Sequence, residues 1–190
     1  MQLKDITNED SWARFFDLYA PLILGFAKQC GCKHEMACDV LQQTMVRLMR
    51  ALPRFIYDPG KGKFRSFLLK IVHNSLREAF NREKRLQIME PKTNGGDWFE
   101  QLQDSRIQEP GEKWDALWNK NLLVQALERV RKRVNPRTYR SFEMYVIEER
   151  PVSEIQAALD IKANTVYQHR NRLIGLLQRE IAHVKEEMGE

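Results

Sequence analysis

The sequence lacks the features that mark membrane-inserted and exported proteins. No segment holds about 18 consecutive apolar residues, the minimum that a membrane-spanning helix needs. The first residues, MQLKDITNED, have neither the basic start nor the apolar stretch of a secretory signal. We therefore expect a cytoplasmic protein that does not insert into a membrane.

Catalytic motifs are scarce as well. The chain has no glycine-rich phosphate loop and no nucleophile beside an evident base, so neither an enzyme nor a cofactor is predicted. It has only three cysteines, Cys30, Cys32 and Cys38, which with His34 give the spacing C-x-C-x-H-x3-C. Because this spacing matches no standard zinc site, we expect reduced cysteines and no metal, and a metal site or a thiol sensor remains the alternative.

Positive charge is concentrated in two stretches of the chain. The formal net charge of +5 and the pI near 9.2 favour an anionic partner. Residues 61–85 contain eight basic and two acidic residues, and residues 162–179 contain four basic and no acidic ones. The segment between them, residues 90–115, is predominantly acidic. A single basic run is also typical of a solvated helix face. Two such runs favour an anionic partner only if each lies on a recognisable helical motif.

Apolar residues recur every three or four positions almost throughout, which predicts an all-α protein. Pro21 is expected to kink the first helix, for which Asp10 or Ser11 is the predicted N-cap. Asn135, followed by Pro136, and Asn164 are the predicted N-caps of two later helices. The predicted helical segments are 12–26, 37–52, 64–85, 114–131, 136–146, 152–159 and 165–186.

Proline and glycine divide this pattern into two small helical domains. Residues 86–113 show no sustained period and contain Pro91, Gly95, Gly96 and Pro110, which predicts a flexible acidic linker. The first domain is then 1–85 and the second 114–190.

The end of the second domain has the pattern of a helix-turn-helix. A short helix over 152–159, a turn at 160–163 and a long helix have the lengths of that motif, whose second helix enters the major groove. Gln can pair with adenine and Arg with guanine, although the same residues also suit the solvent face of a helical bundle. The predicted DNA contacts are Lys162, Asn164, Thr165, Tyr167, Gln168, His169 and Arg172.

Several motifs together give the chain a family resemblance over nearly its whole length. They are Tyr19-Ala20-Pro21, Asp39-Val40 with Gln42-Gln43-Thr44, Phe64-Arg65-Ser66-Phe67-Leu68 and Ile71-Val72-His73-Asn74. In this order and at these separations they resemble the extracytoplasmic-function group of bacterial sigma factors. The pattern departs at Phe67, where that group commonly has Trp, and at Asp160, where a turn glycine is usual.

The resemblance implies two sets of contacts in residues 1–85. The helix that contains Asp39 is implied to bind core RNA polymerase. The residues implied for this contact are Asp39, Gln42, Gln43, Arg47 and Arg50. The turn 54–63 is implied to capture a base flipped from the minus 10 promoter element, and the helix after it to hold the separated strand. The residues implied for this minus 10 contact are Phe55, Ile56, Tyr57, Lys61, Lys63, Arg65, Asn74, Arg77, Asn81, Arg82 and Arg85.

The function implied is that of a sigma factor. It would bind core RNA polymerase, recognise minus 10 and minus 35 promoter elements and start transcription, under the control of an anti-sigma factor. The alternative is a helix-turn-helix activator with an N-terminal sensor or dimerisation bundle, which would require a palindromic site.

Overall fold

The computed structural model describes residues 9–52, 64–87 and 111–188, and every regular element within these ranges is helical. The all-α prediction is thereby confirmed. The predicted turn 54–63 and most of the predicted linker 86–113 lie outside the described residues. In chain order the elements are α1 (Glu9–Gln29), α2 (His34–Ala51), α3 (Phe64–Gln87), α4 (Glu112–Arg133), α5 (Pro136–Phe142), a π-helical turn (Glu143–Ile147), α6 (Val152–Leu159) and α7 (Ala163–Glu187).

These elements form two compact units, which divide between Asn121 and Leu122. The first unit contains α1, α2, α3 and the start of α4, and the second unit spans Leu122–Glu186. The division falls within α4, whereas the domain limits inferred from sequence lie at residues 85 and 114.

The core of the first unit is built by helices α1, α2 and α3. Each contributes an apolar stripe at the three-and-four spacing of an amphipathic helix, and the stripes pack together because this removes their surface from water. The largest fully buried side chains on these helices are Phe15, Tyr19, Leu22, Ile23, Leu48, Phe64, Leu68 and Leu76.

Helix α1 is continuous through Pro21, which lies inside it. Pro21 is exposed, which places its ring on the solvent side of the helix. An interior proline costs about 3 kcal/mol, but buried residues such as Tyr19, Leu22 and Phe26 lie on both sides of it and stabilise the helix. Helix α1 also begins at Glu9, so Asp10 and Ser11 lie inside it and the predicted N-cap is wrong.

The start of α4 packs within the first unit through two tryptophans. Trp114 lies edge-on to Phe26, with ring centroids 5.0 Å apart, and Trp118 lies 6.1 Å from Tyr19. Both indoles are almost completely buried. Asn121, also buried, donates a hydrogen bond from Nδ2 to the Leu18 carbonyl oxygen at 2.7 Å. The sequence had assigned this segment to the second domain.

The second unit has two small apolar clusters. One joins Ala126 and Val130 of α4 to Phe142, Leu173 and Leu177. The other consists of Met144, Ile155 and Val166, and it packs the π-helical turn, α6 and α7 together.

Helix α5 begins as the sequence predicts. Pro136 stands at its first turn, and the Asn135 side chain accepts a hydrogen bond from the Arg137 backbone N–H at 2.9 Å. Helix α7, by contrast, begins at Ala163, so Asn164 lies inside it and does not cap it. The π-helical turn was not predicted; in it the Glu148 N–H donates to the Glu143 carbonyl at 2.9 Å, the five-residue spacing of a π-helix.

Candidate nucleic-acid interface

One face of α2 collects most of the residues predicted to bind polymerase. Asp39, Gln42, Gln43 and Arg50 are exposed, while the opposite stripe, with Val40 and Leu48, is buried. Met49 lies at the edge of the exposed face with 55% of its surface accessible, and thus adds an apolar contact that the sequence analysis did not select. Polar side chains beside an accessible methionine suit a protein partner.

Arg47 lies at the other edge of this face and links α2 to α3. Its Nη2 forms an ion pair with Glu78, and its Nη1 lies 3.5 Å from Ser75 Oγ. The hydrogen bond from Arg47 lowers the pKa of the Glu78 carboxyl below its ordinary value, although partial burial opposes this effect. Arg47 therefore holds the two helices in register, in addition to its predicted role as a polymerase contact.

Replacing Arg47 by methionine should remove a pH-dependent part of the stability of the first unit. Because the folded-state pKa of Glu78 is lowered, the pair stabilises the fold above the ordinary carboxyl pKa and loses this effect as the pH falls through the lowered value. Partly exposed pairs contribute about 0.2–1 kcal/mol. We expect a loss of that size at pH 7 and a smaller one at pH 3, measured by urea unfolding.

Arg50→Met is the matched control, because Arg50 is exposed on the same helix. The interpretation would be wrong if Arg47→Met reduced stability equally at both pH values, or if Arg50→Met had the same pH dependence.

A continuous basic stripe runs along the exposed side of α3. Its members are spaced three and four residues apart, so they share one side of the helix. Opposite them lies the buried row that includes Leu68, Val72 and Leu76. The exposed members of this α3 stripe are Lys70, Asn74, Arg77, Asn81, Lys84 and Arg85.

The α3 stripe joins four of the predicted minus 10 contacts and adds two lysines. Asn74, Arg77, Asn81 and Arg85 were selected from the sequence, whereas Lys70 and Lys84 were not, although their spacing already placed them on this side. Arg82 lies off the stripe and towards α2, where its Nη1 is 4.0 Å from Asp39 Oδ2. A row of cations and amides can bind a phosphate chain and hydrogen-bond to bases.

Arg65 is not part of the α3 stripe, because its side chain is held by residues of α4. It forms an ion pair with Asp115 of α4, and its guanidinium carbon lies 5.3 Å from the centre of the Trp118 ring. Only 15% of its side chain is accessible. Its guanidinium therefore joins α3 to the start of α4, a use that the sequence motif did not indicate. Of the other minus 10 candidates, Phe55, Ile56, Tyr57, Lys61 and Lys63 lie outside the described residues.

Helices α6 and α7 of the second unit are joined by the short segment 160–162. Asp160 takes the left-handed conformation there, with φ 48° and ψ 56°, as expected for the residue that replaces the usual turn glycine. The predicted DNA contacts run from Lys162, directly before α7, to Arg172 on that helix. Among these, Asn164, Gln168 and Arg172 point away from the buried row of Val166 and Leu173.

The remaining α7 candidates lie on the flanks of the helix. Lys162, directly before it, is exposed. Thr165 and His169 are half-buried on one flank. Tyr167 is exposed on the other, with its ring 5.8 Å from that of Tyr145 and nearly perpendicular to it. Of the seven predicted DNA contacts, only Asn164, Gln168 and Arg172 therefore point directly away from the buried row of α7.

Partial burial gives His169 a specific protonation state. It lowers the pKa of the imidazole, and the positive charges of Arg172 and Arg137 lower it further. A neutral imidazole can donate one hydrogen bond and accept another. Burial and the two arginines thus both disfavour the charged form of His169 at this surface.

The cysteine and histidine residues do not converge on one point. Cys38 Sγ lies 3.9 Å from His34 Nε2, and both residues are exposed. Burial raises the pKa of Cys30 to about 11 and that of Cys32 to about 12, which keeps these thiols protonated. Within residues 9–52, 64–87 and 111–188, no three His, Cys, Asp or Glu side chains are grouped to hold a metal ion.

None of the described helices combines the length and the apolar character that a bilayer-spanning segment needs. A comparison of the sequence with curated proteins found no match. Residues 15–86, which include α1 from Phe15 onward, the whole of α2 and the α3 stripe, match the family model of Sigma-70 region 2. This match supports a sigma factor of the sigma-70 family, which is not an enzyme class and which acts with core RNA polymerase and promoter DNA in transcription initiation.

Proposed function

We propose that the α3 stripe binds the separated DNA strand of the minus 10 promoter element. The observation that carries this proposal is the row of four exposed cations and two exposed amides, Lys70 to Arg85, on one side of a single helix. The cations supply affinity through phosphate contacts, which do not depend on sequence. Asn74 and Asn81, placed between them, can hydrogen-bond to the edges of unpaired bases.

The exposed face of α2 is the proposed contact with core RNA polymerase. Asp39, Gln42, Gln43 and Arg50 provide directional hydrogen bonds, and Met49 provides an adaptable apolar contact. Because this face and the α3 stripe belong to two helices joined by Arg47 and Glu78, the first unit can bind polymerase and DNA at the same time.

For the second unit we propose recognition of the minus 35 element by α7. Gln168 and Arg172 are the proposed base-reading residues because both are exposed opposite the buried row of that helix. Lys162, Asn164, Thr165, Tyr167 and His169 are the proposed supporting contacts. In this proposal the protein is a cytoplasmic member of the extracytoplasmic-function group, and the α2 face is where an anti-sigma factor would compete with polymerase.

The DNA proposal is tested by removing two cations of the α3 stripe. Arg77→Ala combined with Arg85→Ala should weaken promoter binding by the complex with core polymerase. Each lost phosphate contact reduces the slope of log affinity against log salt by about 0.7 for a single strand, so the pair should reduce it by about 1.4 in filter binding at several salt concentrations. Run-off transcription should fall in parallel.

Arg14→Ala combined with Lys28→Ala is the matched control. Both residues are exposed on α1 and their loss changes the net charge equally. An equal change of salt slope in the two double variants would contradict a specific strand contact. No run-off transcription by the wild-type complex would favour the helix-turn-helix activator.

Gln43→Arg tests the polymerase face separately. A bulky cation at the centre of an interface should weaken co-purification with core polymerase about tenfold, which corresponds to about 1.4 kcal/mol. Gln29→Arg, with the same charge change on the exposed end of α1, should have no effect. Equal retention of both variants would exclude Gln43 from the interface.

A further inference from the structure

Arg137, a residue outside every predicted DNA contact, binds the turn between α6 and α7. Its Nε donates a hydrogen bond to the Leu159 carbonyl at 3.0 Å, and its Nη2 donates to the Asp160 carbonyl at 3.0 Å and also to that of Leu159. The last carbonyls of a helix have no partner within the helix. A guanidinium that bonds to two of them satisfies both with charge-assisted hydrogen bonds.

The turn that Arg137 binds is conformationally demanding. Asp160 has φ 48°, a region that glycine enters freely and that a residue with a Cβ adopts at a cost. Helix α7 begins only three residues later, at Ala163. The direction in which the chain enters α7 therefore depends on Asp160 remaining in this conformation.

Arg137 is itself held in place from the other side. Its backbone N–H is bonded to the side chain of Asn135, and Pro136 restricts the backbone directly before it. The residue is thus fixed at the start of α5 while its side chain holds the turn before α7. Its charge also lies close enough to His169 of α7 to act on that imidazole.

We infer that Arg137 is a positioning residue for DNA recognition: by binding the carbonyls of Leu159 and Asp160 it sets the direction of α7. The inference rests on the proposed role of α7 in reading the upstream promoter element. It predicts that loss of Arg137 reduces discrimination between DNA sequences more than it reduces the affinity for DNA in general.

The test compares two promoter templates that differ only in the upstream element, one intact and one scrambled. The intact template is selected from genomic fragments that the wild-type complex with core polymerase transcribes. For each variant we measure the ratio of run-off transcripts from the two templates. Arg137→Met, which keeps the length and removes the donors, should reduce this ratio about tenfold, and Lys132→Met, at an exposed cation of the same unit, should not.

Asp160→Gly provides the rescue. Glycine takes the left-handed conformation without the steric cost, so the turn should no longer depend on Arg137. The double variant Arg137→Met, Asp160→Gly should therefore recover most of the wild-type ratio, an outcome that lost stability alone would not give. Arg137→Lys, which retains the charge but not the two-fold donation, should give an intermediate ratio.

Three results would overturn the inference. The ratio could be unchanged in Arg137→Met, transcription from both templates could fall equally, or Asp160→Gly could fail to restore the ratio. If the wild-type protein itself does not distinguish the two templates, the proposed upstream-reading function of α7 fails, and the role of Arg137 fails with it.

Discussion

Replacing Trp118 by alanine should destabilise the first unit by about 3–5 kcal/mol, the range measured for large aromatic side chains in protein cores. The indole is completely buried, lies 6.1 Å from Tyr19 and contacts the guanidinium of Arg65. Its removal leaves a cavity and also leaves Arg65 beside that cavity. Hydrogen exchange should show lost protection in α1 and α3, although the substitution is in α4.

Asn119→Ala on the exposed side of the same helix is the control, and its effect should stay within about 0.5 kcal/mol. The hydrogen-exchange result decides whether the start of α4 belongs to the first unit or to the second domain that the sequence predicted from residue 114. If Trp118→Ala left the exchange of α1 and α3 unchanged, the start of α4 would not be part of the first unit.

The second large effect is expected at Ile155. This fully buried side chain forms a cluster with only two other buried residues, Met144 and Val166. Ile155→Ala should cost about 2–5 kcal/mol and Ile155→Val about 0.5–1.5 kcal/mol. Because Ile155 is the fully buried side chain that α6 contributes to this cluster, we expect the alanine variant to loosen α6 and to lose upstream-dependent transcription.

Ser153→Ala, exposed on α6, should be neutral in both stability and transcription. Urea unfolding of the four proteins gives the order of stability. If Ile155→Ala unfolded at the same urea concentration as Ser153→Ala, movement of the neighbouring side chains would have filled the cavity, and Ile155 would not hold α6 in place.

Periodicity predicted the helices well, because most of them bury one apolar stripe and local spacing decides which side is buried. The α6 bounds, Val152–Leu159, and the cap of α5 by Asn135 are confirmed. The N-caps predicted at Asp10 or Ser11 and at Asn164 were wrong, and α1 continues through Pro21, for related reasons. A local preference of about 1–3 kcal/mol for a break or a cap was overcome by the packing of residues on both sides, such as Leu22 on α1 and Val166 on α7.

The candidate surfaces were predictable where they depend on one helix. Asn74, Arg77, Asn81 and Arg85 fall on one side of α3 by spacing alone. The partners of Arg65, Arg47 and Arg137 were not predictable, since each comes from a different helix or turn. Asp115, for example, is 50 positions from Arg65 in the chain.

The contacts of Trp114 and Trp118 also determine what kind of connection residues 88–110 make. Gln87 ends α3 and Gly111 precedes α4, and both belong to the first unit, so this stretch joins two points of one unit. A segment whose two ends are fixed in one unit affects stability through the entropy of closing it, and doubling its length costs only about 0.6 kcal/mol. A tether between separate bodies would behave differently, because its length sets the effective concentration of one body near the other. We therefore expect a change of length between Gln87 and Gly111 to alter the free energy of unfolding of the first unit only slightly.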